Sequence, residues 1–463
     1  MNQRFIDRVD ELDFLKSEYE NDGSSFVVIY GRRRIGKTSL IREFLSNRKG
    51  LYFLATEEGE RQNIDAFKSM VAEYTGNRFL MRGSDFSWED VFLAFRDYKR
   101  DERKILVIDE FQYLGKSNKS FPSVFQKIWD IHLADENIMV ILCGSLINMM
   151  ESQVLSYSSP LYGRRTGQIK LKQISFKDYG GFFQKRSRKE LIELYSVTGG
   201  VPKYIELLRN EETVEAAIEN KILKKLSFLY EEPYFLLEKE VRDIGTYFSI
   251  IRTIASGNHK LGKIASAMGT NQTSITRYLK VLMDLDLIAR IVPVTEVNPD
   301  KSKSGLYFLC DNFIEFWFKF IYPYRSQIEM GDFDYVTERI REGFVQNHVS
   351  YVYEDVCRQS LWELSRENRL PFKIIRNGKW WNRTEEIDIV ALNDQTCDLM
   401  AGECKFTNNK VDVDVFYRLV DKTGMIDWKR EGRKVWYVVF SISGFTDRLL
   451  ELAEEREDLM LLN

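Results

Sequence analysis

Cysteine is scarce in this chain. Five occur in 463 residues, Cys143, Cys310, Cys357, Cys397 and Cys404. The number is odd and the closest two stand seven positions apart, so neither a zinc-type spacing nor a disulfide framework is expected. Long hydrophobic runs are absent too: the longest, such as 138–143, fall far short of the roughly 18–20 residues that cross a bilayer, which predicts no membrane partner. The N-terminus carries Arg4, Asp7, Arg8, Asp10 and Glu11 where an export signal needs an apolar run of about 7–15 residues, and a reducing cytoplasm is the expected compartment. An excess of positive charge is also missing. With 67 Lys and Arg against 70 Asp and Glu the net charge is −3, so any contact with nucleic acid must come from a local basic patch. No internal repeat and no long linker interrupts the chain.

Hydrophobic residues make up 44% and charged residues 30%, enough apolar material for packed cores and too much for a disordered chain. At roughly 100–200 residues per domain, the length predicts three or four domains. From 26 to 171, short apolar runs at 26–30, 51–54, 105–108, 138–142 and 169–171 alternate with amphipathic stretches. One of these, 120–133, has Phe121, Val124, Phe125, Ile128 and Trp129 at helical spacing. Buried strands separated by helix-length segments predict βαβ units and a parallel sheet covered on both faces. From 175 to 249 the pattern is helical. From 261 to 309 it reads as a helix with Leu261, Ile264, Ala265 and Met268 inward, a turn at Gly269, a second helix with Ile275, Leu279 and Leu282 inward, and a hairpin-like pair. The remainder has strands near 386–392, 399–406 and 435–440 and is α/β again.

Gly31, Arg32, Arg33, Arg34, Ile35, Gly36, Lys37 and Thr38, followed by Ser39, have the eight-position spacing of a phosphate-binding loop between a strand and a helix. Glycines let backbone N–H groups curl around a phosphate, the helix N-terminus adds positive potential, Lys37 reaches the β and γ oxygens and Thr38 can hold Mg²⁺. The strand 105–108 ends in Asp109 and Glu110, where Asp109 is expected to anchor Mg²⁺ and Glu110 to polarise the attacking water. The next strand leads into Ser145, whose hydroxyl is placed near the γ-phosphate or that water. No guanine-reading motif stands in a suitable place, which selects ATP.

Phe5, Ile6, Asp7 and Arg8 with Glu11 and Leu12, then Tyr162, Gly163, Arg164 and Arg165, then Thr198, Gly199, Gly200, Val201 and Pro202, follow the phosphate loop's order of motifs. At these residues the first 250 or so positions resemble the AAA+ superfamily and, within it, the STAND class of signal-transduction ATPases, in particular the archaeal-type group. The resemblance implies an N-terminal element near the adenine, an arginine motif at Arg164 or Arg165, and a Gly-x-Pro element in a helical lid that contacts nucleotide. A guanidinium suits charge spread over γ-phosphate oxygens; which arginine acts, and whether within one chain or across a subunit boundary, stays open. The strip 163–189 holds four Arg and five Lys against one Asp, so a surface for DNA phosphates is an equal reading of the same residues. Self-association is a further implication of the resemblance.

On the second helix of the 261–309 segment, Gln272, Thr273, Thr276, Arg277 and Lys280 oppose the apolar stripe and are free to enter a major groove. Lys301 and Lys303 in the wing suit backbone phosphates. DNA is the expected partner; the bland reading is a solvated helix that spaces domains or docks protein. Near the C-terminus, Asp388 on one strand and Glu403 and Lys405 on the next share a face by alternation, and Glu354 on an upstream helix adds a carboxylate. Such a set can hold a second Mg²⁺ or Mn²⁺ and orient water. It resembles the PD-(D/E)XK restriction-endonuclease-like fold, with Ile387 where that pattern has proline. Phe313, Phe316, Trp317 and Phe320 have the spacing of core residues.

The fold expected is therefore α/β: a P-loop NTPase core over 1–174, a helical lid over 175–250, a winged helix over 251–305 and a restriction-endonuclease-like domain over 306–463. The function expected is an ATP-hydrolysing switch that couples nucleotide state to DNA binding or processing. The alternative is a regulatory or defence-associated ATPase scaffold whose nuclease-like domain is inactive and docks protein or DNA.

Overall fold

The charge-free runs of the first 170 residues fold as one sheet of Ser25–Tyr30 (β1), Gly50–Leu54 (β2), Lys104–Asp109 (β3), Ile138–Gly144 (β4) and Gly167–Lys170 (β5). The strand order is β2-β3-β4-β1-β5, and every pairing is parallel. β1, β3 and β4 are buried along their whole length, which explains why they read as continuous apolar runs and not as alternating ones. Val27, Ile29, Ile105, Val107, Met139 and Ile141 form the core with Leu40, Ile41 and Phe44 of the helix Lys37–Leu45 (α1). Burial at about 25 cal/mol per Å² makes this apolar layer the main stabilising term of the nucleotide-binding half.

The computed structural model describes residues 5–82 and 85–463. It contains two compact units. One extends to Ile174 and takes in Val201–Lys203 and Phe235–Arg242; the other comprises Ser175–Gly200, Tyr204–Tyr234 and Asp243–Asn463. The segment 175–250, read from sequence as a helical lid, is thus divided between them. Among the described residues, no helix is long and apolar enough to cross a membrane.

In the second unit, Leu261–Ala267 (α2) and Gln272–Asp284 (α3) are followed by the antiparallel pair Ile288–Ile291 (β6) and Leu306–Leu309 (β7). Asn271 caps α3 by accepting a hydrogen bond from the Ser274 N–H, and Ile264, Ala265, Ile275, Leu279 and Leu282 are buried between the elements. The limit expected at 305 falls inside this hairpin, since β7 starts at Leu306. Phe313, Phe316, Trp317 and Phe320 are buried, and the Trp317 indole donates to the Tyr230 carbonyl at 2.8 Å.

The C-terminal sheet is mixed. Arg376–Trp381 (β8), Glu386–Asn393 (β9), Asp398–Lys405 (β10), Lys434–Ser441 (β11) and Leu459–Leu462 (β12) lie in the order β12-β11-β10-β9-β8. β8, β9 and β10 pair antiparallel, while β10, β11 and β12 pair parallel. The helix Ser350–Arg366 (α4) packs on β8, β9 and β10, and Val413–Gly424 packs on β9, β10 and β11. Val390, Leu392, Leu399, Ala401, Phe416 and Leu419 are among the residues of this core. β8 and β12 have no counterpart among the sequence-derived strands: β8 is rich in polar and aromatic residues, and β12 is only four long.

Candidate functional sites

The first site is built at the carboxyl edge of the parallel sheet. Register pairs Tyr30 of β1 with Gly144 of β4, and Leu142 of β4 with Ile108 of β3. The loop after β1, Ser145 after β4, and Asp109 and Glu110 at the end of β3 therefore leave the sheet side by side, the usual position for a ligand in an α/β sheet. Gly31 has φ +147°, and a Cβ there would stand 2.5 Å from the Leu171 carbonyl oxygen and 2.6 Å from Ile35 Cδ1, so only glycine is accommodated. Gly36 and Arg34 take φ +96° and +70°, the left-handed turns that curl the loop into the start of α1.

Lys37 is buried at the first turn of α1, and its ammonium donates to the carbonyls of Gly31 and Arg32, both at 2.8 Å. Burial lowers its pKa, against the opposing charges of Cys143, Glu110, Asp109 and Glu240. The Thr38 hydroxyl donates to Asp109 Oδ2 at 3.4 Å, the Tyr52 hydroxyl donates to the same oxygen, and the Glu110 N–H donates to Asp109 Oδ1 at 2.9 Å. A hydroxyl and a carboxylate brought together are hard oxygen donors that suit Mg²⁺. Glu110, in the left-handed region at φ 54°, accepts from the Ser145 N–H at 3.2 Å, the Ser145 hydroxyl at 2.7 Å and the Gln112 amide. Ser145 thus faces the carboxylate. Of the remaining loop residues, Arg32 and Ile35 are buried, the Arg33 guanidinium donates to the Tyr113 hydroxyl at 2.9 Å, and Ser39 is exposed on α1.

Flanking motifs converge on the same loop in part. The Arg8 guanidinium donates to the Ile35 carbonyl at 3.3 Å and to that of Lys172. The ring of Pro202 lies 3.7 Å from where a Gly36 Cβ would stand. The arginine pair is different. Arg164 grips Asp130 with both arms of its fork, at 2.7 and 2.8 Å, and donates to the Pro160 carbonyl at 2.8 Å; the bond from Asp130 raises its pKa. Arg165 lies over the Tyr162 ring, with one terminal nitrogen buried and without a hydrogen-bond partner. Among the described residues, neither makes a hydrogen bond or ion pair with residues 31–39, Asp109 or Glu110, and Arg164 is committed to Asp130 within this chain. Sequence reasoning missed Tyr52, Gln112 and Tyr113; Gln112, two residues beyond Glu110, carried a signal of proximity, whereas Tyr52 reaches Asp109 only because β2 pairs with β3.

The helix-turn-helix residues stay apart from this edge in sequence and form their own surface. Gln272, Thr273, Thr276, Arg277 and Lys280 are all exposed on α3, and so are Lys301 and Lys303. Arg290 of β6 donates to the carbonyls of Pro299 and Ser302 and so anchors the loop carrying those lysines.

In the C-terminal sheet, Asp388 on β9 lies across from Glu403 on β10, and Asp388 Oδ2 accepts from the Cys404 N–H at 2.9 Å. Glu354 on α4 and Glu403 are both buried and both raise the pKa of Asp388, which burial first of all pushes up to about 7. The four expected residues therefore come together, but with cations among them. Lys379 of β8 donates to Glu354, Arg358 of α4 stands 4.0 Å from Glu354 and donates to the Asp388 carbonyl at 3.1 Å, Lys405 bonds Glu403 at 2.7 Å, and Lys422 stands 3.8 Å from Glu403. Among the described residues, no three His, Cys, Asp or Glu side chains are arranged to hold a metal ion. The ammonium and guanidinium groups pair with Glu354 and Glu403, while Asp388 still feels the charge of both.

Two family models match the chain. Residues 5–208 match an ATPase domain predominantly from Archaea, and residues 317–415 match a family of archaeal and bacterial proteins of unknown function. An uncharacterised protein of Methanocaldococcus jannaschii, MJECL04, is 39% identical over 435 residues, covering 92% of this chain and 94% of its own. The chain belongs to this archaeal ATPase family. A shorter protein of the same organism, the ATP-binding protein MJ0423, is 44% identical over 45 residues, 10% of this chain and 76% of its own. Among solved structures, the Walker-type ATPase PABY2304 of Pyrococcus abyssi shares the fold with a TM-score of 0.53 at 21% identity, over 68% of this chain and 96% of its own. The loop 31–38 and the Asp109–Glu110 pair both lie within the residues that match the ATPase domain.

The Asp388 environment sets a pH dependence of stability. A carboxyl with a folded-state pKa above its unfolded value costs the native state stability once it is ionised; the cost is absent where it is protonated in both states and complete above the folded value of about 7. Asp388→Asn is expected to melt close to wild type at pH 4 and increasingly above it between pH 5 and pH 8, measured by thermal denaturation. A constant difference across that range would contradict the assignment.

Proposed function

We propose that the protein is a Mg²⁺-dependent ATP-hydrolysing switch of the AAA+/STAND type, which couples nucleotide state to DNA binding through α2, α3 and the β6–β7 hairpin. The observation that carries the reading is the meeting of Lys37, Thr38, Asp109, Glu110 and Ser145 at one sheet edge, with Gly31 leaving a cradle that a Cβ would fill. Thr38 and Asp109 would hold Mg²⁺, which when bound supplies charge neutralisation on the β and γ oxygens. Lys37 is positioned to exchange its carbonyl partners for phosphate oxygens. Glu110 is the base that accepts a proton from water, and Ser145 and Gln112 fix its orientation. The exposed set on α3, opposite a fully buried stripe, supports a major-groove surface, with Lys301 and Lys303 on flanking phosphates.

A second observation favours the binding form of the C-terminal domain over the cutting form. Lys379, Arg358, Lys405 and Lys422 surround the three carboxylates, and a charge-compensated cluster gives a divalent cation little to neutralise. We read the domain as nuclease-like in arrangement and inactive in hydrolysis.

Lys37→Ala is expected to abolish nucleotide binding, while Glu110→Gln binds ATP and hydrolyses it at least about 100-fold more slowly; equal turnover in Glu110→Gln and wild type would remove the base assignment. For DNA, the logarithm of affinity should fall linearly with the logarithm of salt concentration, and Arg277→Ala with Lys280→Ala should weaken binding in fluorescence anisotropy. Absence of DNA binding even at low salt would favour a protein-docking scaffold. Plasmid incubated with Mg²⁺ or Mn²⁺, with and without ATP, should stay uncut; metal-dependent cutting lost in Asp388→Ala would make the C-terminal domain a working nuclease.

A further inference from the structure

Three parts of the chain hold the Asp109 carboxylate. Its Oδ1 accepts from the N–H of its neighbour Glu110 at 2.9 Å, and its Oδ2 accepts from two hydroxyls, that of Thr38 at 3.4 Å and that of Tyr52. Thr38 and Glu110 belong to the nucleotide-site motifs, but nothing in those motifs calls for Tyr52. The register of the sheet explains how it arrives. β2 runs parallel to β3 with Tyr52 opposite Val107 and Leu54 opposite Asp109, and alternation puts all four on one face. Two residues of rise separate the level of Tyr52 from that of Asp109, about 6.6 Å along the sheet, a span that a tyrosine side chain covers and a serine or threonine does not. The Tyr52 ring is half-buried and packs against the core that contains Val107 and Ile141. Its hydroxyl is therefore held by a packed ring and not by a flexible arm.

A tyrosine hydroxyl keeps its proton at neutral pH, so it donates to the carboxylate without taking its charge away. The bond from Thr38 ties Asp109 to the start of α1, which carries the phosphate loop; the bond from Tyr52 ties it to the neighbouring strand. A carboxylate whose outer hydrogen bonds fix its orientation loses less freedom when it takes up a cation, and such outer partners govern metal affinity nearly as strongly as the ligands themselves. We propose that Tyr52 is a positioning residue for the Mg²⁺ of the nucleotide complex, its hydroxyl aiming the Asp109 carboxylate beside Thr38 before ATP enters. The proposal rests on the ATP and Mg²⁺ reading of the site and adds a residue that its motifs do not include. Tyr52 acts only through Asp109. Removing an outer partner of this kind lowers metal affinity by about 10–100-fold, and because Thr38 and the Glu110 N–H remain on Asp109, the lower end of that range is expected here.

The test uses the full chain and a fluorescent, non-hydrolysable ATP analogue, whose affinity is measured once in Mg²⁺ and once in EDTA. Tyr52→Phe keeps the packed ring and removes only the hydroxyl. It is expected to bind the analogue about tenfold more weakly than wild type in Mg²⁺ and as tightly as wild type in EDTA, where Asp109 has no cation to hold. Affinity equal to wild type in Mg²⁺ overturns the proposal, and so does an equal loss in Mg²⁺ and in EDTA, which would make Tyr52 a packing residue of the sheet; both leave the nucleotide site itself standing. Wild type that binds the analogue equally well with and without Mg²⁺ brings down the Mg²⁺ reading together with the proposal, and wild type that binds it under neither condition brings down the ATP reading as well.

Discussion

Because β4 pairs in parallel with β1 on one side and β3 on the other, three chain segments distant in sequence end at the same edge within one residue of register. Everything at the nucleotide site depends on that alignment. A phosphate loop alone offers an anion cradle; the Asp109 carboxylate beside Thr38 sets hard oxygen donors next to it, and Ser145, delivered by the middle strand, bonds Glu110. A shift of one residue in β4 would send Val140, Ile141 and Leu142 to the wrong faces and lift Ser145 off Glu110 together. Packing and chemistry are therefore under the same constraint. The buried apolar side chains that stabilise the sheet are also what hold the polar groups to tenths of an ångström.

The contrast between the two carboxylate clusters follows from what surrounds them. At the sheet edge Asp109 is bonded to hydroxyls and a backbone N–H, from Thr38, Tyr52 and Glu110, and among the described residues no ammonium or guanidinium pairs with it directly. In the C-terminal sheet each of Glu354 and Glu403 has an ammonium on it, and Asp388 is walled in by both. Hydroxyls and amides orient a carboxylate without cancelling its charge, the condition that the proposed Mg²⁺ site requires. Ammonium groups on Glu354 and Glu403 offset part of the charge in the second cluster, and the remainder is felt by Asp388. The same residue types, Asp, Glu and Lys, thus diverge in chemistry through their partners alone.

Most of the nucleotide site was legible in the sequence because its parts are local. A strand, a loop with glycines at fixed offsets and a helix are contiguous, and a strand ending in two acids announces itself by the abrupt change from Ile108 to Asp109 and Glu110. What could not be read is what depends on pairing across the sheet. Tyr52 is an ordinary residue of a short strand until β2 lies against β3, and Arg164 looks free for a phosphate until Asp130, 34 residues earlier, occupies its fork. In the C-terminal half, Asp388, Glu403 and Lys405 were visible by alternation along adjacent strands. Lys379 was not, because β8 carries tryptophans, an asparagine and a glycine in place of an apolar alternation, and its strand character comes from pairing with β9.

Lys379 carries a lesson about reading sites from motifs. A motif records the groups that contact a ligand, since those are tied to one another by spacing; it says nothing of charges that other elements bring to the same place. Lys379 comes from a strand that no pattern of alternation marks. It sets a cation directly against the Glu354 carboxylate. The charge balance of such a cluster is accordingly set as much by what other elements bring to it as by the residues of the motif, and that part is visible only once the chain is folded.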